Sequence, residues 1–536
     1  MRIFTFFLFF SFSFSQGMGI IDGVLAIVDN NVILRSDIEE QVFLIAKEKN
    51  ISPQKTPLAF QSLYEKIIEE QIDRKVVLSA AKQDSLIEVT NEEINKTLNQ
   101  RIDAFVGVFG SKEALEDTMK MSINAIKNEY YKLVEEELFV EKFRFLNDSG
   151  NLDILTCAAT HGYLPILREN PETVKGQINT AIRNHENIFG TKPLGIWLPE
   201  CAYYENLDEM LFNSGIRYAI LDGHGILNAT PRPRYGVYAP ICSKKGVAFF
   251  GRDSESTLPV WSAKDGFPGD KVYREFHKDL GWELPISKLQ KKGISTKRPL
   301  GLKFHKITDD KVPLGEKAFY LENEAKKKVA EHADSYLLAR SKQLEKLTLS
   351  SSFKPLLVAP FDAELFGHWW YEGPFFIENI LKNSSKYSIK LTNLKEFLIQ
   401  KPNLQICDPS PSSWGQGGYH NYWINDANAW IVPEITKAGS TFVDLCSKNF
   451  NNDLSPRLFK QAARELLLSE SSDWSFILRA GTTTELAKER IERHLFRFWK
   501  IVEMIKNHSN INLKFLEDIE EEDKVFPDIN IDDWRK

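Results

Sequence analysis

No histidine precedes His161 in this 536-residue chain, and no cysteine precedes Cys157. The first 150 positions therefore carry no chemistry built on imidazole or thiolate. The five cysteines (Cys157, Cys201, Cys242, Cys407 and Cys446) are odd in number and none has CxxC spacing. That is the free-thiol usage of a reducing compartment, not a disulfide framework. A net charge of −6 without a basic stripe excludes a nucleic-acid footprint. No transmembrane span is expected either. The one dense apolar run at the start, Ile3 to Phe14, is too short to cross a bilayer.

What is present describes a globular protein of two or three domains: 43% hydrophobic and 26% charged residues over a length beyond one ordinary core. Arg2, the Phe-rich run and the small residues around Ser13-Phe14-Ser15 form an export signal, residues 1–15, with cleavage expected after Ser15. Export to a periplasmic or extracellular space is at odds with the free thiols, so the two ends of the chain point to different compartments.

Val24–Val28, Asp29-Asn30-Asn31 and Val32–Leu34 read as strand, turn and strand. Ser36 with Glu39 and Thr90 with Glu93 are capping boxes. Phe60, Leu63, Tyr64, Ile67, Ile68, Ile72 and Val76 recur at helical spacing, and Tyr130–Phe143 is a further helix. Residues 16–143 are thus a mainly helical module entered by a hairpin. The strings GVLAIVDNNVILRSDIEEQ, LYEKIIEEQIDRKVVLSAAK and VTNEEINKTL resemble the N-terminal domain of SurA-type periplasmic chaperones. The resemblance implies unfolded polypeptides as partners. No parvulin-type module follows, so isomerase activity is not implied.

Composition changes near Phe143–Asn151, where Trp, Cys, His, Pro and Gly become frequent. Leu152–Ala158, Gly195–Leu198, Tyr218–Leu221 and Pro355–Pro360 read as buried strands. They alternate with helices at Thr173–Phe189 and Leu207–Ser214, a pattern calling for a parallel α/β sheet or barrel. Two of these strands end in the same way. Gly195–Leu198 runs into Pro199, Glu200 and then Tyr203-Tyr204; Pro355–Pro360 runs into Phe361, Asp362 and then Trp369-Trp370. Carboxylates at strand ends, walled by aromatic rings, are what glycoside chemistry requires. The segment from Asp222 to Phe276 reads as a long irregular binding surface, Leu284–Leu302 as a solvated loop, and Lys317–Leu347 as a long charged helix. Residues 456–505 read as amphipathic helices, and Glu517–Asp523 as a solvated face.

The strings ATHGYLP, WLPECAY, GRDSES with VWS and GFPGD, FDAELFGHWWYEGP and SSWGQGGYHNYWIND, over residues 144–536, resemble glycoside hydrolase family 57, and within it the 1,4-α-glucan branching enzymes of glycogen metabolism. The resemblance implies a (β/α)₇-type barrel at 144–400 and a Trp/Gly-rich loop with a helical C-terminal domain at 401–536. It also implies an amylose- or glycogen-like α-glucan as substrate, a cytoplasmic setting for this half, and neither cofactor nor metal. Glu200 matches the nucleophile of a retaining mechanism and Asp362 the general acid/base, a pair that retention places about 5–5.5 Å apart. His161 would hydrogen-bond sugar hydroxyls. Arg252 and Asp253 would hold the acid/base or the substrate, and Trp261, Trp369, Trp414 and Trp423 would be stacking platforms. The same family includes α-glucan hydrolases.

One departure stands against these agreements. The family opens its barrel with a strand ending in an HxHxP-type motif, and no such string exists here. The expected fold is therefore an α/β chain with a truncated (β/α)₇-type barrel lacking its first strands, joined to the SurA-like module. Branching should be impaired by the unpaired edge. An exported chaperone-like fusion with an inert glucan-enzyme half is the alternative.

Overall fold

A computed structural model of the chain describes residues 139–536, apart from 263–265, 292, 310, 350–352, 402, 449–454 and 508–510. Before these it describes 24–28, 31–34, 59–69, 111–119 and scattered positions. The expected export signal and both capping boxes lie outside the described residues. The chain divides into two units, between Glu135 and Glu136. Composition placed this boundary at 143/144, inside residues 139–148, which are helical. That helix is tied to the second unit: the Arg144 guanidinium donates to the Ile188 carbonyl.

In the first unit, β1 (Val24–Val28) and β2 (Asn31–Leu34) form an antiparallel hairpin that pairs Val28 with Asn31. Helical residues Ile38 and Val42, one turn apart, are buried together with Ile67. Phe60, Leu63, Tyr64, Ile68 and Ile72 pack against them, the stripe expected from the spacing.

The second unit holds a five-stranded sheet: β3 (Gly195–Ile196), β4 (Tyr218–Leu221), β5 (Ile241–Cys242), β6 (Ala248–Gly251) and β7 (Gln405–Ile406), in the order β3-β4-β6-β5-β7. All neighbours run parallel except β5 and β6. Among the described residues this sheet is open and mixed, so the fold is α/β and the expected parallel barrel is not what these strands form. The reason is local. Ser243 N–H bonds the Val247 carbonyl at 2.9 Å, with Gly246 at φ +94° closing the turn. So short a link can only join antiparallel strands.

Two expected strands are extended chain with sparse pairing. From Leu152–Ala158 only Thr156 joins the sheet, as a parallel bridge to Ile196 at its edge. Pro355–Pro360 contributes the Val358 carbonyl to Asp253 N–H and the Leu356 N–H to the Tyr238 carbonyl, without a ladder. Conversely, the segment after Asp222, expected to be irregular, supplies β5, β6 and a helix.

Around the sheet lie α1 (Pro171–Phe189), α2 (Leu207–Asn213), α3 (Ser254–Trp261) and the long α4 (Glu322–Leu349). Proline opens α1, and Gly190 at φ +73° closes it. The C-terminal helices are α5 (Ile431–Cys446), α6 (Ser455–Ser469), α7 (Ser472–Ala480), α8 (Thr484–Lys506) and α9 (Leu513–Glu522). One hydrophobic core runs from Ala158 through Ile196 and Leu221 to Phe498 and Trp534. Sheet and C-terminal helices therefore share a core, and residue 400 does not divide it. Gly176 on α1 shows how closely they meet: a Cβ there would lie 2.2 Å from the Trp534 ring.

Candidate active site

β3 stops at Ile196, and Pro199 opens a single 3₁₀ turn, Pro199–Cys201. Within it Glu200 has φ +62° and Cys201 φ +50°, a left-handed backbone that costs a residue with a Cβ roughly 1–2 kcal/mol. Hydrogen bonds hold it in place. Cys201 N–H reaches the Leu198 carbonyl at 2.8 Å, and Trp414 N–H reaches the Glu200 carbonyl at 2.8 Å. The Glu200 side chain is bound as tightly: Trp414 Nε1–H donates to Oε2 at 2.6 Å. Burial pushes the Glu200 carboxyl up to about 7, with the charges of Asp362 and Asp473 acting in the same direction. Hydrogen bonds from Trp414 and Ser472 oppose that rise.

Asp362 follows the Val358 segment and precedes the short turn Ala363–Leu365. Burial raises its carboxyl to about 6; Glu364 adds to the rise and Arg252 opposes it. Arg252 is fixed by Asp222 (Nη1 to Oδ2, 3.3 Å) and Thr257 (Nε to Oγ1, 3.1 Å), with its guanidinium carbon 5.7 Å from the Trp414 ring centre. Glu200, Asp362, Arg252 and Trp414 thus form one constellation, reached from strand ends and from the Gly-rich loop. His161, at φ +53°, joins it: Nδ1 lies 3.8 Å from Glu200 Oε1. Burial holds its imidazole below the ordinary value.

The remaining expected residues separate. The carboxylate of Asp253 is 2% exposed; it caps α3 through Glu255 N–H and Ser256 N–H and accepts from Gln343 Nε2 at 3.0 Å. Its carboxylate is committed to the fold through these bonds, whereas the expectation was that it holds the acid/base or the substrate. Trp423, expected as a stacking platform, is 2% exposed and stacks on Tyr163 at 4.9 Å and 17°. Trp414 is 8% exposed, and its indole serves Glu200. Trp369, 47% exposed, and Trp261 line a cavity of about 640 Å³ with Arg274, Phe276, His277 and Trp370. Neither carboxylate lines that cavity; Trp261 connects the two regions, 5.9 Å edge-on to Trp414. The Gly-rich loop folds back because Gly418 takes φ +72° against His224, whose Nε2 lies 2.7 Å from the Gly418 carbonyl.

Sequence reasoning missed Ser472 and Asp473, which α7 brings to Glu200 and His161 from more than 260 positions away. The cluster of hydroxyl and acidic residues at 469–473, between two apolar-striped helices, was the available signal. Elsewhere Glu465, His494 and Asp523 bring ligand-type atoms together. Arg497 Nη1, 2.9 Å from Asp523 and 4.0 Å from Glu465, already supplies the positive charge there. The acidic end of α9 is likewise an ion-pair partner, since Glu522 also bonds Arg497. No helix among the described residues is long and apolar enough to cross a membrane.

A family model described as glycosyl hydrolase family 57 matches residues 30–408, and one described as 1,4-alpha-glucan branching enzyme, C-terminal, matches 434–534. The chain is similar to the 1,4-alpha-glucan branching enzyme of Thermococcus kodakarensis: 32% identity over 432 residues, 74% of this chain and 61% of that protein. It spans less than two thirds of the length of such curated relatives. The solved structure of that enzyme matches with a TM-score of 0.69 at 29% identity, covering 83% of each chain. The α-amylase AmyC of Thermotoga maritima matches with a TM-score of 0.69 at 32% identity, over 89% of this chain and 86% of its own. A shorter match, 33% identical over 98 residues, is to the chaperone SurA of Buchnera aphidicola, covering 18% of this chain and 22% of that protein.

Proposed function

Because the chain belongs to glycosyl hydrolase family 57, we propose that it is a retaining 1,4-α-glucan branching transferase. The observation that carries this is the presence of two half-buried carboxylates, Glu200 and Asp362, each at a chain turn, with the charge of Asp362 acting on Glu200, each carboxyl raised and each influenced by a fixed partner. Ionised Glu200 attacks the anomeric carbon as Asp362 gives its proton to the leaving glycosidic oxygen. The glucan chain stays on Glu200 as an ester. Asp362, now a base, takes the proton of an acceptor 6-hydroxyl, whose oxygen displaces Glu200 and forms the α-1,6 branch. Arg252 steadies the Asp362 charge once the proton has left. The cavity behind Trp261 and Trp369, apolar and rimmed by Arg274 and His277, suits a glucan arm.

The test is incubation of the full chain with amylose. Loss of iodine stain without new reducing ends supports branching. Reducing ends accumulating in step with stain loss support the second reading, an α-glucan hydrolase, which the likeness to the α-amylase AmyC favours. We further propose that the sheet edge at Thr156 lowers the transfer rate, and that the first unit binds unfolded polypeptides after export. Suppression of aggregation of an unfolded outer-membrane protein by the full chain tests the binding; an intact N-terminus recovered from the cytosolic fraction overturns export.

A further inference from the structure

β4 ends at Leu221, and the chain turns at once through Asp222, Gly223 and His224. His224 therefore stands at the carboxyl end of the strand beside β3. Both of its ring nitrogens are engaged. Nε2 lies 2.7 Å from the Gly418 carbonyl, and Nδ1 lies 3.3 Å from Asp222 Oδ1. The other Asp222 oxygen takes Arg252 Nη1 at 3.3 Å. A carbonyl oxygen can only accept, so Nε2 carries a hydrogen and donates it.

What the imidazole holds is the closure of the Gly-rich loop. The Gly418 carbonyl also accepts Ser413 N–H at 2.9 Å, which ties the end of the loop to its beginning. Trp414 follows Ser413 and grips Glu200 twice, N–H to the main-chain carbonyl at 2.8 Å and Nε1–H to Oε2 at 2.6 Å. The entry to the loop is fixed from two sides: Ser412 exchanges two backbone hydrogen bonds with Tyr203, and Ser410 N–H bonds the Gly225 carbonyl at 3.0 Å. The return runs through Gly415, Gly417 and Gly418, all at positive φ. Glycine backbone has other conformations open to it, so this part of the loop depends on an anchor from outside. We propose that His224 is a positioning residue for Glu200: by donating to the Gly418 carbonyl it fixes the return of the loop, and with it the seat of the Trp414 indole on the nucleophile. This rests on the reading of Glu200 as the nucleophile. The titratable and charged groups facing His224 are Asp222, with Arg252 behind it, and Tyr419, whose ring centre is 5.0 Å away. Those facing Glu200 are His161, Asp362 and Asp473.

The experiment compares the full chain with His224→Leu, which cannot donate, and His224→Gln, whose amide can. Leucine should lower kcat about ten- to a hundredfold with KM within about twofold, the size expected for disturbing a hydrogen bond to a charge. It should move the limb of the pH–rate profile governed by Glu200 to higher pH, and glutamine should restore most of both. Because His224 acts through Trp414, the double variant His224→Leu/Trp414→Phe should be no slower than Trp414→Phe alone. With ¹⁵N-labelled tryptophan, the Trp414 Nε1–H signal, assigned by its loss in Trp414→Phe, should lie far downfield in the wild type and move upfield in His224→Leu. Gly418→Ala, whose Cβ would lie 2.8 Å from His224 Cε1, should move it the same way from the loop side. Additive losses in the double variant, or a Trp414 signal unmoved in both His224→Leu and Gly418→Ala, overturn the proposal. The signal needs no turnover, so it decides the matter in an inactive chain too. Activity surviving Glu200→Gln would instead sink the functional reading.

Discussion

At the scale of single residues, the proposed mechanism turns on the proton inventory of Glu200 and Asp362. Glu200 must be ionised and Asp362 protonated, yet Glu200 has the higher value, about 7 against about 6. Below pH 6 both are protonated and no nucleophile exists; above pH 7 both are ionised and no acid exists. The pH–rate profile should be a bell with limbs near 6 and 7 and a narrow top. The productive microstate is the minor singly protonated form, about a tenth of the other. Trp414→Phe removes the 2.6 Å hydrogen bond to Glu200. It should raise the upper limb and lower the maximum by about the same factor; a maximum that falls with both limbs fixed would contradict this account. Glu200→Gln and Asp362→Asn should each reduce turnover by about a thousandfold or more, with azide restoring some rate only to the Asp362 variant.

Elements constrain what those residues can do. Asp253 lies between β6 and α3 and caps α3; α4 answers it with Gln343, and Arg340 of the same helix bonds the Glu255 carbonyl. Asp253→Ala should cost about 1–2 kcal/mol of stability through the lost cap and leave KM for glucan within about twofold. A rise in KM without a fall in the unfolding temperature would restore a substrate role. On α1, Gly176→Ala places a methyl group against the fully buried Trp534 ring. Overpacking of this kind costs about 1–3 kcal/mol, and thermal unfolding of the variant measures it directly.

For the whole molecule, three carboxyls raised by desolvation shape stability against pH: Asp362 to about 6, Glu200 to about 7 and the buried Glu470 to about 8. Each takes up its proton more tightly folded than unfolded. Its penalty is absent below the unfolded value of about 4, and grows as pH rises through the folded value. Stability should therefore decline between about pH 5 and pH 8. Glu470→Gln should flatten the upper part of that decline, as followed by denaturant unfolding at fixed pH values; an unchanged slope would mean Glu470 titrates alike in both states. Grafting an intact family N-terminus in place of residues 1–143 should raise the branching rate and lower the share of hydrolysis. Equal rates in both proteins would show that the edge at Thr156 costs nothing.

Several helix positions were legible in the sequence because apolar stripes and stop signals act locally: the reading Thr173–Phe189 falls two residues short of the start of α1, and Leu207–Ser214 with Gly215 gives α2. The turn settings of Glu200 and Asp362 were legible too, since a short apolar run, a carboxylate and aromatic rings are contiguous in the chain. Family membership was readable from strings for the same reason. Pairing was not. Whether Leu152–Ala158 or Pro355–Pro360 forms a ladder depends on a partner strand elsewhere, and β5 and β6 become antiparallel through one turn at Gly246. The fates of Asp253, Trp414 and Trp423 were equally closed to the sequence, because a carboxylate or an indole serves as cap, hydrogen-bond donor or platform according to what is packed beside it. Ser472 meets His161 only once α7 docks on the turn at 161–162. That contact exists because the sheet and the C-terminal helices bury one continuous apolar core, which brings together residues that share no local pattern.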